Sequence, residues 1–285
     1  MSSYLRPTTL PEALGALASA REEGRPRIIV AGATDHFPAR VGRVMDEDVL
    51  DVTGLRDLRT IRAIDGGWWI PALATWTDVI EGELPSLFAG LRLAAAAVGG
   101  RQIQNRGTVV GNVVNASPAA DGTPNLLALD AVVTLASVRG ERRVPMADFV
   151  LGNRSTSREV DELVTGLFVP APLSGTVARS TFLKLGSRAY LVISIAMVAV
   201  VLVLDSSRRI TEARIAVGAC SPVARRLPLL EATLVGRVAE PGIGALVRPE
   251  RFAMLTPIDD VRGSAAYRLD VAATLVRRAL EGAAG

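Results

Sequence analysis

The chain has 285 residues, 49% of them apolar and 4% aromatic, enough for one large domain or two to three small ones. Its 32 basic and 29 acidic residues leave a formal charge of +3, so the pI of 9.6 marks no basic stripe, and the scattered arginines argue against a nucleic-acid interface. A single cysteine, Cys220, and a single histidine, His36, exclude a disulfide framework, a C-x-x-C motif and an iron–sulfur cluster held by this chain alone.

Sparse cysteine fits a cytoplasmic protein, and "MSSYLRPTTLPEAL" at the N-terminus lacks an apolar signal core. From there the chain reads as follows. Thr9-Leu10-Pro11-Glu12 is a capping box that opens a helix; Ala13, Leu14 and Leu17 continue it, and Gly24 stops it. "RIIV", residues 27–30, is a short buried strand running into "AGATDHFP". A second strand falls at 49–52.

The pattern then changes. "LRTIRAIDGGWWIPALA" holds two strand-like runs around Asp65-Gly66-Gly67, a hairpin signal. Residues 87–98 are rich in Ala and Leu and read as a helix ended by Gly99-Gly100. "AVVTLASVRGERRVP" is a second hairpin that turns near Arg139-Gly140. "FVPAPLSGTVARS", with Pro170, Pro172 and Gly175, is the best candidate boundary.

Residues 191–204, "LVISIAMVAVVLVL", form the most apolar run. They fall short of the about 20 residues that span a bilayer, so no membrane span is expected. Their β-branched content predicts a buried strand, after a short helical turn. With 209–218 this strand forms a third hairpin around "DSSRR". "RGSAAYRLDVAATLVRRAL" is an amphipathic terminal helix with Ser264 as N-cap. These elements divide the chain into three parts, 1–53, 54–173 and 174–285, of an α+β protein.

Two glycine-bearing segments stand out. The strand ending in "AGATD" exposes backbone N–H groups that suit anionic oxygens; a plain turn is the alternative. In "RGTVVGNVVNASPAAD", residues 106–121, small and amide residues suit close contact with a ligand while the valines anchor in the core. Its alternative is a buried connection whose amides satisfy its own backbone. No G-x-G-x-x-G, P-loop or G-x-S-x-G motif is present. Difficult chemistry here would therefore belong to a bound cofactor.

Together, "AGATD" and "QIQNRGTVVGNVVNASPAAD" resemble the FAD-binding medium subunit of the molybdenum hydroxylases, the xanthine dehydrogenase and carbon monoxide dehydrogenase type. "ELVTGLFVP", "FLKLGSR", "ARIAVGACSPVARR" and "DDVRGSAAYR" continue the resemblance in order. It implies a two-lobed FAD-binding domain, a small α/β lobe (1–53) and a larger mixed α+β lobe (54–173). A C-terminal α/β domain with an antiparallel sheet (174–285) follows.

It further implies that Ala31, Gly32, Ala33, Thr34, Asp35 and His36 wrap the cofactor's diphosphate. Thr108, Val109, Gly111 and Asn112 would meet it from the second lobe. Asp121 would hydrogen-bond the adenosine end, and Thr165 and Lys184 would lie near the flavin ring. A surface lysine is the alternative for Lys184. Tyr190, Trp68 and Trp69 are expected to pack in the core or an interface.

Implied partners are a molybdenum-cofactor large subunit and a 2Fe–2S small subunit, as a dimer of heterotrimers. The implied role is to accept electrons from the clusters and pass them to NAD+, O2 or another acceptor. Two departures matter. Ala33 replaces a glycine, and Val110 replaces the first glycine of a G-G pair, where stiff valine disfavours positive φ. His36 stands at a usually aliphatic position. A stand-alone FAD oxidoreductase, or a scaffold that has lost FAD, are the rival readings.

Overall fold

The computed structural model of the chain describes residues 2–42, 46–189 and 191–285; Tyr190 lies outside them. The first unit contains β1 (Tyr4–Leu5), α1 (Leu10–Glu22), β2 (Ile28–Val30) and β3 (Val49–Asp51). Its strands form a parallel sheet in the order β1-β3-β2. The capping box at Thr9 and Glu12 forms, and Gly24 ends the helix with φ +65°. Leu17 of α1 packs with Leu50 and Val52, and the same small core takes in Leu73 and Leu163 from the next unit.

The second unit opens with β4 (Arg62–Ile64), β5 (Gly67–Pro71) and α2 (Trp76–Glu81). It continues with α3 (Ala89–Ala97), α4 (Arg101–Gln104), α5 (Val109–Val114) and α6 (Gly122–Ala128). Next come β6 (Val132–Ser137), β7 (Gly140–Pro145), α7 (Met146–Phe149), β8 (Val150–Gly152), β9 (Ser155–Thr156) and β10 (Leu163–Pro170). Both expected hairpins are present, in a five-stranded antiparallel sheet ordered β4-β5-β10-β6-β7. Trp76, Phe88, Leu91 and Val113 of the helices pack with Ile70, Val133 and Leu167 of the sheet. Trp68 meets Phe88 edge-on, with ring centroids 5.4 Å apart, and Trp69 lies against Gly166.

The third unit is β11 (Val177–Leu185), β12 (Ala196–Leu204), β13 (Ile210–Gly218), β14 (Arg225–Arg226), α8 (Pro228–Leu234) and α9 (Ala265–Ala284). Its four strands are antiparallel and in chain order. All nine residues of β12 are buried, and alternation explains why. Met197, Ala199, Val201 and Val203 face the core of the second unit, whereas Val198, Val200 and Leu202 face α8 and α9. A sheet covered on both faces needs a continuous apolar strand. The helical turn expected before it is absent: residues 191–195 are non-helical, and Leu191 has φ +52°.

Arg268 of α9 is buried and ties this unit together. It donates to the Ile195 carbonyl and, at 2.6 Å, to Asp260. The Arg262 amide foremost, with Arg268 adding to it, holds the Asp260 carboxyl down to about 2. The segment "DDVRGSAAYR" thus has a structural role here. Cys220 is buried, and burial pushes its thiol up to about 11, which leaves no nucleophilic thiolate. Among the described residues no helix is long and apolar enough to cross a membrane.

Candidate cofactor cleft

β2 ends at Val30, and the chain turns through residues 31–36 before a short 3-10 turn at Pro38–Arg40. None of the amide N–H groups of residues 32–36 donates within the described residues. Residues 32, 33, 34 and 36 are half-buried and Asp35 is exposed, so these amides are open to water or to an external acceptor. Ala33 adopts φ +53°, a left-handed conformation that costs an L-residue about 1–2 kcal/mol. The residue replacing glycine therefore keeps the glycine-like backbone.

The second wall is built around Thr108. Residues 107–109 run beside the chain at Ala74 to Trp76, with Val109 N donating to the Ala74 carbonyl and Trp76 N to that of Gly107. Thr108 then caps α5, its Oγ1 accepting from Gly111 N at 2.9 Å. Val109, Val110 and Val113 are buried in the core, Val110 also edging the cleft, and Gly111, Asn112, Val114 and Asn115 line it. Asn112 Oδ1 accepts from Gly122 N at 3.3 Å.

Val110 has a helical backbone, so its position requires no positive φ. Val110→Gly, which restores the glycine of the resembled motif, is expected to lose about 3 kcal/mol through a core void and a flexible helix residue. Thermal melting would read that loss. A fluorescence titration of the same variant should find FAD affinity unimproved.

The two walls touch through backbone. A Cβ on Gly32 would lie 1.8 Å from the Arg106 carbonyl oxygen, an approach only glycine permits. Between the walls is a cavity of about 660 Å³, within the usual range for cofactor sites. Ala31, Gly32, Ala33, Thr34, Asp35, His36, Thr108, Gly111 and Asn112 all line it. Val109 instead faces the core, with no exposed surface.

His36 lines the cavity with its Nε2 buried and unpartnered. Burial foremost, then Arg40, lowers its pKa, against Glu47.

Asp121, Thr165 and Lys184 lie outside this lining. Lys184 Nζ is 2.7 Å from Asp121 Oδ2, Ser194 Oγ donates to Asp121 Oδ1 at 2.8 Å, and all three side chains are largely buried. Lys184 is therefore no solvated surface lysine. Burial raises the Asp121 carboxyl, while Lys184 and Ser194 pull it down. Thr165 is buried on β10, its Oγ1 donating to the Thr134 carbonyl at 3.3 Å.

Arg154, at the tip between β8 and β9, also lines the cavity, as does Arg158. Sequence reading had no signal for either, since each is an arginine among 32 basic residues in a segment without a motif.

Known proteins share this sequence pattern and fold. Residues 1–172 match the family described as "FAD binding domain in molybdopterin dehydrogenase", and residues 181–283 match "CO dehydrogenase flavoprotein C-terminal domain". The medium chain of glyceraldehyde dehydrogenase from Sulfolobus acidocaldarius is 29% identical over 283 residues, covering 98% of this chain and 97% of that one. The FAD-subunit of nicotinate dehydrogenase from Eubacterium barkeri is 36% identical over 197 residues, 67% of this chain and 65% of that one. Among solved structures, a carbon monoxide dehydrogenase from Hydrogenophaga pseudoflava superposes with a TM-score of 0.86 at 29% identity, covering 99% of this chain and 96% of that one.

Proposed function

The chain belongs to the FAD-binding medium subunits of the molybdenum hydroxylases, and from that premise we propose that it relays electrons from a partner's 2Fe–2S clusters to NAD+, O2 or another acceptor. The observation that carries this reading is the pair of walls meeting at Gly32, with free amides on residues 32–36 facing a cavity. Such a cradle fits a diphosphate. Its apolar stretches, from Ile29 to Val164, fit the flat remainder of a dinucleotide.

In this reading residues 32–36 hold the diphosphate from one side, and Thr108, Gly111 and Asn112 hold it from the other. Asp121, Thr165 and Lys184 act from one layer behind, through Asn112 and the strand carrying Val164. FAD, when bound, supplies reversible one- and two-electron chemistry. The protein's own part is to bind it, orient it and shield it from water.

With one cysteine, this chain cannot ligate an iron–sulfur cluster by itself, so the electron donor sits on another chain. Relatives named as medium chains support an assembly with larger and smaller chains; in this reading those are a molybdenum-bearing large subunit and a 2Fe–2S small subunit, arranged as a dimer of heterotrimers. The scaffold alternative rested on Val110; its helical backbone needs no positive φ, which supports the FAD-binding reading, although the residue does edge the cavity.

Purification of the native complex tests the proposal. The expected result is a flavin absorbance spectrum together with copurifying iron–sulfur and molybdenum subunits. A colourless chain that cannot be reconstituted with FAD would overturn the cofactor assignment, and a flavin-bearing chain with neither partner would overturn the assembly.

A further inference from the structure

Three arginines line the cleft: Arg40, Arg154 and Arg158. Two are committed elsewhere. Arg40 forms a forked pair with Glu47, at 2.8–3.1 Å. Arg158 Nη1 donates to the carbonyls of Glu159 and Glu162, each at 2.8 Å. Arg154 alone points back into the cradle. Its Nη1 is 2.8 Å from Asp35 Oδ2 and also contacts Asn115 Oδ1. Its amide donates to the Ala116 carbonyl at 2.9 Å. Arg154 and Ala116 both have left-handed backbones, φ +58° and +48°, so the contact is held by two strained residues.

The contact joins residues 119 apart in sequence, one on the 31–36 loop and the other at the β8–β9 tip, which also touches Asn115 of the second wall. It also settles a problem of charge. Asp35 is an acid in a loop that would receive a diphosphate, and an unpaired carboxylate there repels the ligand. We propose that Arg154 is a clasp across the mouth of the FAD cleft. It neutralises Asp35 and pins the 31–36 loop to Asn115, and so slows cofactor release. Arg154 is a positioning residue in this role. Its Nη2 and Nε donate to no group among the described residues, so the clasp retains donors for water or ligand. The inference rests on the assignment of FAD to this cleft.

The test is a double-mutant cycle on the full chain, reading FAD release by fluorescence and the melting temperature of the FAD-free protein. Both side chains are about half exposed, so Arg154→Ala is expected to speed release about three- to fivefold, the upper range for an exposed ion pair. Asp35→Asn in the Arg154→Ala background should recover most of that loss, because the repelling carboxylate is gone. Asp35→Asn alone completes the cycle, and Arg154→Lys, which keeps the charge opposite Asp35, should release FAD within about twofold of the parent and covers the case in which Arg154→Ala does not fold. Release from Arg154→Ala within twofold of the parent overturns the clasp. Failure of Asp35→Asn to rescue the Arg154→Ala background, or release from Arg154→Lys more than about threefold faster than the parent, overturns the charge argument. Parent protein that binds no FAD refutes the cofactor assignment instead, which keeps the two failures distinct.

Discussion

Gly32→Ala is expected to abolish FAD retention and to destabilise the chain by about 3 kcal/mol or more, the upper end for overpacking. The new Cβ would lie 1.8 Å from the Arg106 carbonyl oxygen, 2.5 Å from its carbon and 3.0 Å from Gly107 Cα. All three are backbone atoms, so no rotamer change relieves the clash. The loop after β2 and the chain entering α5 must separate, and the cradle loses its closed end. Differential scanning fluorimetry and flavin absorbance after gel filtration would read both effects. Gly15→Ala in α1 is the matched control, because nothing lies within 4 Å of the added carbon. In a helix interior it should stabilise by up to about 1 kcal/mol. Retention of FAD by Gly32→Ala at parent level would show that the two walls can part without cost to the site.

Lys184→Met should cost about 3–5 kcal/mol, the usual penalty for stranding one member of a buried ion pair. Lys184 and Asp121 side chains are 13% and 8% exposed, and Ser194 is the only other side chain that donates to the Asp121 carboxylate among the described residues. Lys184 also reaches toward the carbonyls of Ala97 and Val192, so its loss loosens the end of α3 and the run into β12 together.

The pH dependence follows from the direction of the Asp121 shift. Burial already lifts this carboxyl above its ordinary value, and removal of Lys184 lifts it further. A carboxyl whose folded-state pKa exceeds the unfolded one favours the fold when protonated. The deficit of Lys184→Met should therefore narrow as pH falls from about 7 to about 5. Asp121→Asn added to Lys184→Met should recover most of the stability at about pH 7, since no charge is then stranded. Urea unfolding across pH would check both. A deficit that does not change with pH, and is not rescued, would show that the lysine stem's packing matters and its charge does not.

Much of this architecture was legible along the chain because its signals are local. The Thr9–Glu12 capping box, Gly24 and Gly66 with positive φ, and the Ser264 cap each act within a few residues, so sequence spacing is enough to place them. The strands of the three hairpins were equally readable. The motif resemblance carried the family, and residues 31–36, Thr108, Gly111 and Asn112 line the cleft, whereas Val109 turns to the core and Asp121, Thr165 and Lys184 lie outside the lining.

The remainder depended on tertiary contact. α5 is six residues of valine, glycine and asparagine, poor helix formers, and it forms because Thr108 caps it and three valines find the core. That packing, rather than any local preference, decided that Val110 needs no glycine backbone. β12 announced itself as apolar, but only its place between two layers assigns odd residues to one core and even residues to the other. Asp121 and Lys184 are 63 residues apart and Asp35 and Arg154 are 119. No sequence period links such pairs; they meet because the sheets and helices between them leave the chain nowhere else to bring those charges.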